Sequence, residues 1–204
     1  MKYNASTLGR RAAAAAGVLT LAVLGLAPAV QAEEANYGNI KEDAQGSLII
    51  HKHLTGDGNP IGSVDGDSTG GAAGAAVKGV EFTAHALSDI NLKEASGWEA
   101  IGTLAKDGVP ESACDNPIAP ALNGHVIGQG YRSSETTDQG LATITGMPVQ
   151  AYLVCETKTP GDIIQKAKPF VVTIPTPNTA TDQEGNWIYD VSVYPKNEKI
   201  SAAK

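Results

Sequence analysis

The chain has 204 residues, with 22 acidic side chains against 15 basic ones and a net charge of -7. Three of the basic residues, Lys2, Arg10 and Arg11, lie in the first 32 positions, where there is no acid; without that stretch the charge is -10 and Arg132 is the single arginine left. So acidic a chain excludes an electrostatic nucleic-acid interface and argues against adhesion to anionic lipid.

The first 32 residues read as a secretory signal peptide. A basic start is followed by an apolar run, Ala12 to Leu26, too short to span a bilayer comfortably, then Pro28 and the small-residue site Val30-Gln31-Ala32. Cleavage is expected between Ala32 and Glu33. The Arg10-Arg11 pair raises the twin-arginine route, but Gly9 and Ala12 around it match that signal poorly. Residues 33–45 are polar and read as a flexible leader, and one domain is expected over 46–198, with 199–204 opening a linker.

Gly46-Ser47 precedes a strand, Leu48 to Leu54, in which Leu48, Ile50 and Leu54 share an apolar face with Lys52. A lysine in core parity is costly unless it is neutral, paired or consumed, or unless its long stem carries the amine out to water. Thr55 to Ala76 is a glycine-rich loop by composition. His51-x-His53 raises zinc and Asp65-Gly66-Asp67-Ser68 raises calcium. The first has no third ligand and the second lacks the spaced oxygens and closing glutamate of a calcium loop, so no metal or other cofactor is predicted.

Val80 to Ala86 alternates as a strand. Asp89 to Ala105 holds one or two amphipathic helical turns around Leu92, Trp98 and Leu104, and Val109 to Gly130 reads as a long irregular connection. Cys114 and Cys155 are the two cysteines. An even count in an exported chain reads as one disulfide, the alternative being two free thiols. Such a bridge is worth roughly 4 kcal/mol on the chain-entropy account, and it would tether the long connection.

Asp138-Gln139-Gly140 is a turn before the strand Leu141 to Ile144, and Gly146-Met147-Pro148 is a turn before the strand Ala151 to Glu156. There Tyr152, Val154 and Glu156 share the inward parity, while Cys155 is expected to point outward to the Cys114 loop. Lys168 to Ile174 is a further strand. Trp187 to Asn197 alternates as the last one, with Val191, Val193 and Asn197 inward and Lys196 outward. Short strands between turn clusters indicate an all-β sandwich.

Three polar residues therefore fall in core parity: Lys52, Glu156 and Asn197. Together they are the reagents for an amide bond. A desolvated lysine becomes a nucleophile, and a buried, protonated Glu156 polarises the Asn197 carboxamide so that ammonia is expelled. That would be one intramolecular event, not an enzyme's turnover.

The stretch from Asp138-Gln139-Gly140 to Tyr152-Leu153-Val154-Cys155-Glu156-Thr157-x-x-Pro160 resembles the E-box region of CnaB-type, immunoglobulin-like domains of Gram-positive surface proteins. Trp187 to Asn197, with Tyr194-Pro195-Lys196, resembles the pilin motif of sortase-assembled major pilins. The resemblance implies an immunoglobulin-like β-sandwich with long loop insertions, in a subunit of a cell-wall-linked, cell-surface fimbrium. Lys196 would be the acceptor amine for an inter-subunit isopeptide bond made by a pilus-specific class C sortase, with other pilin subunits as partners. Lys52, Glu156 and Asn197 would match the autocatalytic isopeptide triad. Major pilins continue to an L-P-x-T-G sorting signal, which is not in these 204 residues; the chain is therefore expected to be the N-terminal portion of a longer pilin. The alternative reading is an adhesin domain whose loops, Thr55 to Ala76 and Val109 to Gly130, contact a host receptor, a glycan or other bacteria.

Overall fold

A computed structural model describes residues 37–54, 74–117, 122, 124–161, 166–178 and 186–197, with main chain alone for Lys196 and Asn197. The signal peptide expected over 1–32, its Ala32–Glu33 junction, most of the 55–76 loop with Asp65 and Asp67, and the 199–204 linker lie outside the described residues.

In chain order the strands and helix are β1 (Gln45–His51), β2 (His53–Leu54), β3 (Glu81–Leu87), α1 (Ala95–Asp107), β4 (Ile127–Arg132), β5 (Leu141–Pro148), β6 (Gln150–Lys158) and β7 (Phe170–Ile174). Four short strands follow: β8 (Thr176–Pro177), β9 (Trp187–Ile188), β10 (Asp190–Val193) and β11 (Lys196–Asn197). Tyr37–Asn39 and Glu111–Cys114 form 3-10 turns.

Two sheets face each other, one ordered β10-β1-β5 and the other β4-β3-β6-β7. β1 and β10 pair in parallel, Leu48 with Val191 and Ile50 with Val193, while β1 and β5 run antiparallel. Strand alternation fills the space between the sheets. Leu48 and Ile50 of β1, Val191 and Val193 of β10, and Ala142 and Ile144 of β5 meet Phe82, Ala84, Tyr152, Val154, Val172 and Ile174 of the opposite sheet. This is the expected all-β, immunoglobulin-like sandwich.

A second apolar cluster covers the far face of the four-stranded sheet, and it changes several expectations. Six consecutive residues of β6, Ala151 to Glu156, are buried, so neither face of that strand meets water. Leu153 and Cys155 pack with Leu92, Leu104, Ala113, Leu122 and Ile127. Cys155 thus does not point outward; it is 1% exposed. The expected one or two helical turns are a helix of 13 residues. The connection expected to be irregular from Val109 to Gly130 contains a 3-10 turn and the edge strand β4. Gly128 and Gly130 hide that strand from a propensity reading, since glycine packs no side chain on a pleated surface.

The leader expected to be flexible is docked where it is described. Ile40 is buried in the second cluster, Tyr37 stacks on Trp98, and the Lys41 N–H donates to the Tyr189 hydroxyl at 2.9 Å. Trp187, whose Nε1–H donates to Asn39 Oδ1, also packs against Trp98 with ring centroids 5.3 Å apart. The single strand expected over Trp187 to Asn197 is three. Trp187 and Ile188 pair with Pro177 and Thr176 rather than with β1, and Pro195 has no N–H with which to continue a ladder.

Candidate functional site

Lys52 interrupts the opening strand. Instead of ladder bonds, its N–H donates to Gly140 O at 2.7 Å and its carbonyl accepts the Val77 N–H at 3.0 Å. This break between β1 and β2 replaces the continuous strand expected from Leu48 to Leu54, yet it leaves the alternation intact. The Lys52 side chain goes into the sandwich and is wholly buried, with Nζ 3.0 Å from Glu156 Oε2 and 5.5 Å from the centre of the Phe82 ring. The amine therefore does not reach water along its stem.

Glu156 arrives from the opposite sheet. β6 pairs with β3 so that Glu156 lies opposite Phe82, which brings the carboxyl and the ring to the same amine. Oε1 of Glu156 accepts the Thr159 hydroxyl at 2.7 Å, and Oε2 accepts the Ala167 N–H at 2.8 Å. Burial pulls the pKa of the Lys52 amine down from its ordinary value, and the charge and hydrogen bond of Glu156 pull it back up; burial is the larger effect. An amine whose pKa is lowered by burial and a hydrogen-bonded carboxyl, held in one apolar compartment, are groups of the kind that can serve as nucleophile and proton carrier in acyl chemistry.

The closing strand runs past this pair in register. Ile50 opposes Val193, and beyond the break His53 opposes Lys196 and Leu54 opposes Asn197. The offset is the same on both sides (193 - 50 = 197 - 54 = 143), so the parallel pairing resumes without a slip. Asn197 is thereby placed on the neighbouring strand, opposite the residue two positions beyond Lys52. Tyr194, just before the buried Pro195, stacks on His51 with ring centroids 4.6 Å apart. His53 Nδ1 lies 3.1 Å from Gly74 O. The two histidines considered for zinc are thus engaged with a ring and a carbonyl.

Cys114 and Cys155 are joined by a disulfide with Cα atoms 5.7 Å apart. It ties the turn that follows α1 to the residue next to Glu156. Several residues of the site carried no signal of their own in the sequence. Thr159 and Ala167 hold the Glu156 carboxyl, and Gly140 and Val77 hold the Lys52 main chain. Thr159 and Gly140 stand inside stretches singled out for their resemblance; Ala167 and Val77 reach Glu156 and Lys52 through backbone N–H groups, which side-chain pattern does not report.

Comparison with known proteins places the chain. A family model described as the Gram-positive pilin subunit D1, N-terminal domain, matches residues 43–198. The chain is similar to a fimbrial subunit type 2 of Actinomyces naeslundii, at 60% identity over all of this chain and 39% of the relative. It is also similar to a fimbrial subunit type 1 of Actinomyces viscosus, at 33% identity over 90% of this chain and 31% of the relative. The chain thus spans less than half the length of these relatives. Among solved structures it resembles the full-length major pilin SpaD of Corynebacterium diphtheriae, with TM-score 0.58 and 30% identity over 79% of this chain and 34% of that one. The fimbrial protein FimP of Actinomyces oris is similar at TM-score 0.55 and 33% identity, over 78% of this chain and 30% of that one. On the match over residues 43–198, the chain belongs to the Gram-positive pilin subunit D1 family, as its N-terminal domain.

Proposed function

We propose that the chain is the N-terminal part of a structural subunit of a covalently polymerised pilus on a Gram-positive cell surface, with Lys196 as the acceptor amine. The observation that carries the reading is the family match over 43–198, which includes the Tyr194-Pro195-Lys196 stretch. The resumed pairing of Lys196 with His53 supports it, because it fixes the main chain of the acceptor on the sandwich. A pilus sortase would deliver the carboxyl end of a neighbouring subunit as a thioester. Attack by the Lys196 amine forms the amide, and the enzyme thiol leaves.

The same domain makes a second amide bond, between Lys52 and Asn197. Proton transfer across the 3.0 Å Lys52–Glu156 contact turns an ion pair into a neutral amine and a neutral acid, the two forms that an apolar core favours. The amine nitrogen adds to the Asn197 carboxamide carbon while Glu156 hydrogen-bonds its oxygen. The C–N bond to the amide nitrogen breaks, a proton passes to that nitrogen by way of Glu156, and ammonia leaves. The reaction happens once per chain, and the product is a covalent tie between β1–β2 and β11.

The polymer assignment is tested in the full-length subunit with its cognate sortase. Wild type should give a ladder of SDS-resistant polymers and Lys196→Ala none; an undiminished ladder from Lys196→Ala rejects the acceptor. The internal bond is tested by intact mass, which should be lower by one ammonia in wild type and not in Glu156→Ala. A wild-type chain that retains the ammonia rejects the bond and leaves the polymer assignment standing.

A further inference from the structure

We propose that the turn carrying Thr136 and Gly140 is the positioning device for the Lys52 amine, and that Gly140 is its critical residue. The inference rests on the Lys52–Asn197 bond described above.

The Lys52 main chain is held within a closed ring of hydrogen bonds. Its N–H donates to Gly140 O at 2.7 Å, and Gly140 N–H donates to Thr137 O at 2.9 Å. On the other side the Lys52 carbonyl accepts the Val77 N–H at 3.0 Å, and the Val77 carbonyl accepts the Thr136 hydroxyl at 2.7 Å. The same hydroxyl oxygen accepts the Val80 N–H at 2.9 Å, and Thr136 is 2% exposed. The peptide link from Thr136 to Thr137 closes the ring. Each bond alone satisfies a buried backbone group. Together they fix the direction in which the Lys52 Cα–Cβ bond leaves the strand, and so where a long, otherwise flexible side chain delivers its nitrogen.

Gly140 is where the ring allows no side chain. Its φ is +74°, and a Cβ built there falls 2.2 Å from the Lys52 carbonyl oxygen and 3.2 Å from its carbon. A methyl group at 140 must push the Lys52 main chain away. Nature supplies a matched control at the other end of β5. Gly146 has φ +67°, and a Cβ there meets nothing nearer than Gln45 Oε1 at 3.8 Å. Alanine at either position suffers the same left-handed backbone strain; only at 140 does it displace Lys52. A displacement of about 1 Å in a positioned reactant can cost on the order of a hundredfold in rate.

The experiment follows the intact mass of the whole chain over time, for wild type, Gly140→Ala, Gly146→Ala and Thr136→Val, with Lys52→Ala as the unlinked reference. A free-thiol assay selects molecules whose disulfide has closed, so that only folded chains are compared. Wild type and Gly146→Ala should be fully lighter by one ammonia. Gly140→Ala should retain an unlinked, disulfide-closed fraction that converts about tenfold or more slowly. Should Gly140→Ala fail to close its disulfide, Thr136→Val decides: it keeps the volume and removes only the hydroxyl, and slow conversion supports the ring while full conversion overturns it. Conversion of Gly140→Ala at the wild-type rate overturns the positioning role and leaves the bond intact. Retention of ammonia by wild type itself removes the bond and the role with it.

Discussion

Lys52 and Glu156 meet at 3.0 Å from opposite sheets, with both side chains sealed from water. A pair of this kind is costly to assemble and costlier to break on one side, because the survivor is left without its partner in an apolar place. In an Asn197→Ala background, where no internal bond can form, Lys52→Met should therefore lower unfolding stability by about 3–5 kcal/mol. Adding Glu156→Gln should restore part of that loss, since a neutral amide keeps most of the polar contacts of the carboxyl. Urea titration of the three variants measures both steps; a triple variant no more stable than the double would show that the carboxylate charge is not the source of the cost.

The disulfide gives a second expectation. Cys114 and Cys155 are 41 positions apart, and replacing both by alanine should cost about 4 kcal/mol on the chain-entropy account. The exchange also removes packing, because Cys155 lies in the second apolar cluster with Leu104 and Leu153. Thermal unfolding of the double alanine variant checks the magnitude, and an unchanged midpoint would contradict it.

Helix α1 contains two glycines in opposite situations. A Cβ at Gly97 would fall 2.0 Å from the Asn91 carbonyl oxygen, whereas at Gly102 it would meet nothing within 4 Å. Gly102→Ala should therefore stabilise the domain by about 0.5–1 kcal/mol through helix propensity alone. Gly97→Ala should destabilise it despite the same gain in propensity. The sign of the two shifts in unfolding midpoint is the measurement.

His51 supplies a pH dependence. Its Nε2 is buried and meets no hydrogen-bond partner among the described residues, and its ring lies against Tyr194. Burial, and secondarily the charge of His53, hold its pKa below the ordinary 6.5. Below that value the unfolded chain binds the proton more readily than the folded one, so stability falls as pH drops from 6.5 towards the lowered folded value. His51→Phe keeps an aromatic partner for Tyr194 and removes the proton site. The loss of melting temperature between pH 7.5 and pH 5 should be smaller in His51→Phe than in wild type; equal losses would remove His51 from the account.

The sandwich was legible because one of its faces is simple. Val80, Phe82 and Ala84 alternate with Glu81, Thr83 and His85, and Val191 and Val193 with Asp190 and Ser192, and period two reports that kind of burial directly. The second layer was not legible in the same way. Leu153 and Cys155 lie on a strand buried on both faces, and alternation cannot reveal a strand that has no wet side. Helix α1 carries Gly97 and Gly102, which weaken any helical reading, although Gly97 is there for the close approach of the Asn91 carbonyl. Lys52 and Glu156 could be found because charge in core parity is anomalous. Among the groups that hold them, the Ala167 and Val77 N–H groups belong to the backbone and leave no mark in a side-chain pattern.

The parallel pairing of β1 with β10 also sets a clock. A chain delivered N-terminus first presents Lys52 early, but β5 follows some ninety positions later and β10 about fifty after that. Until those strands arrive, the lysine remains in water as an ordinary ammonium ion, unable to attack anything. Long-range pairing of this sort is slow to form, since the loop must close before any contact rewards it. For the proposed Lys52–Asn197 bond the delay is protective: the amine would leave water only once β10, and with it the strand that carries Asn197, has paired, so the fold would supply the timing that a protecting group supplies in synthesis.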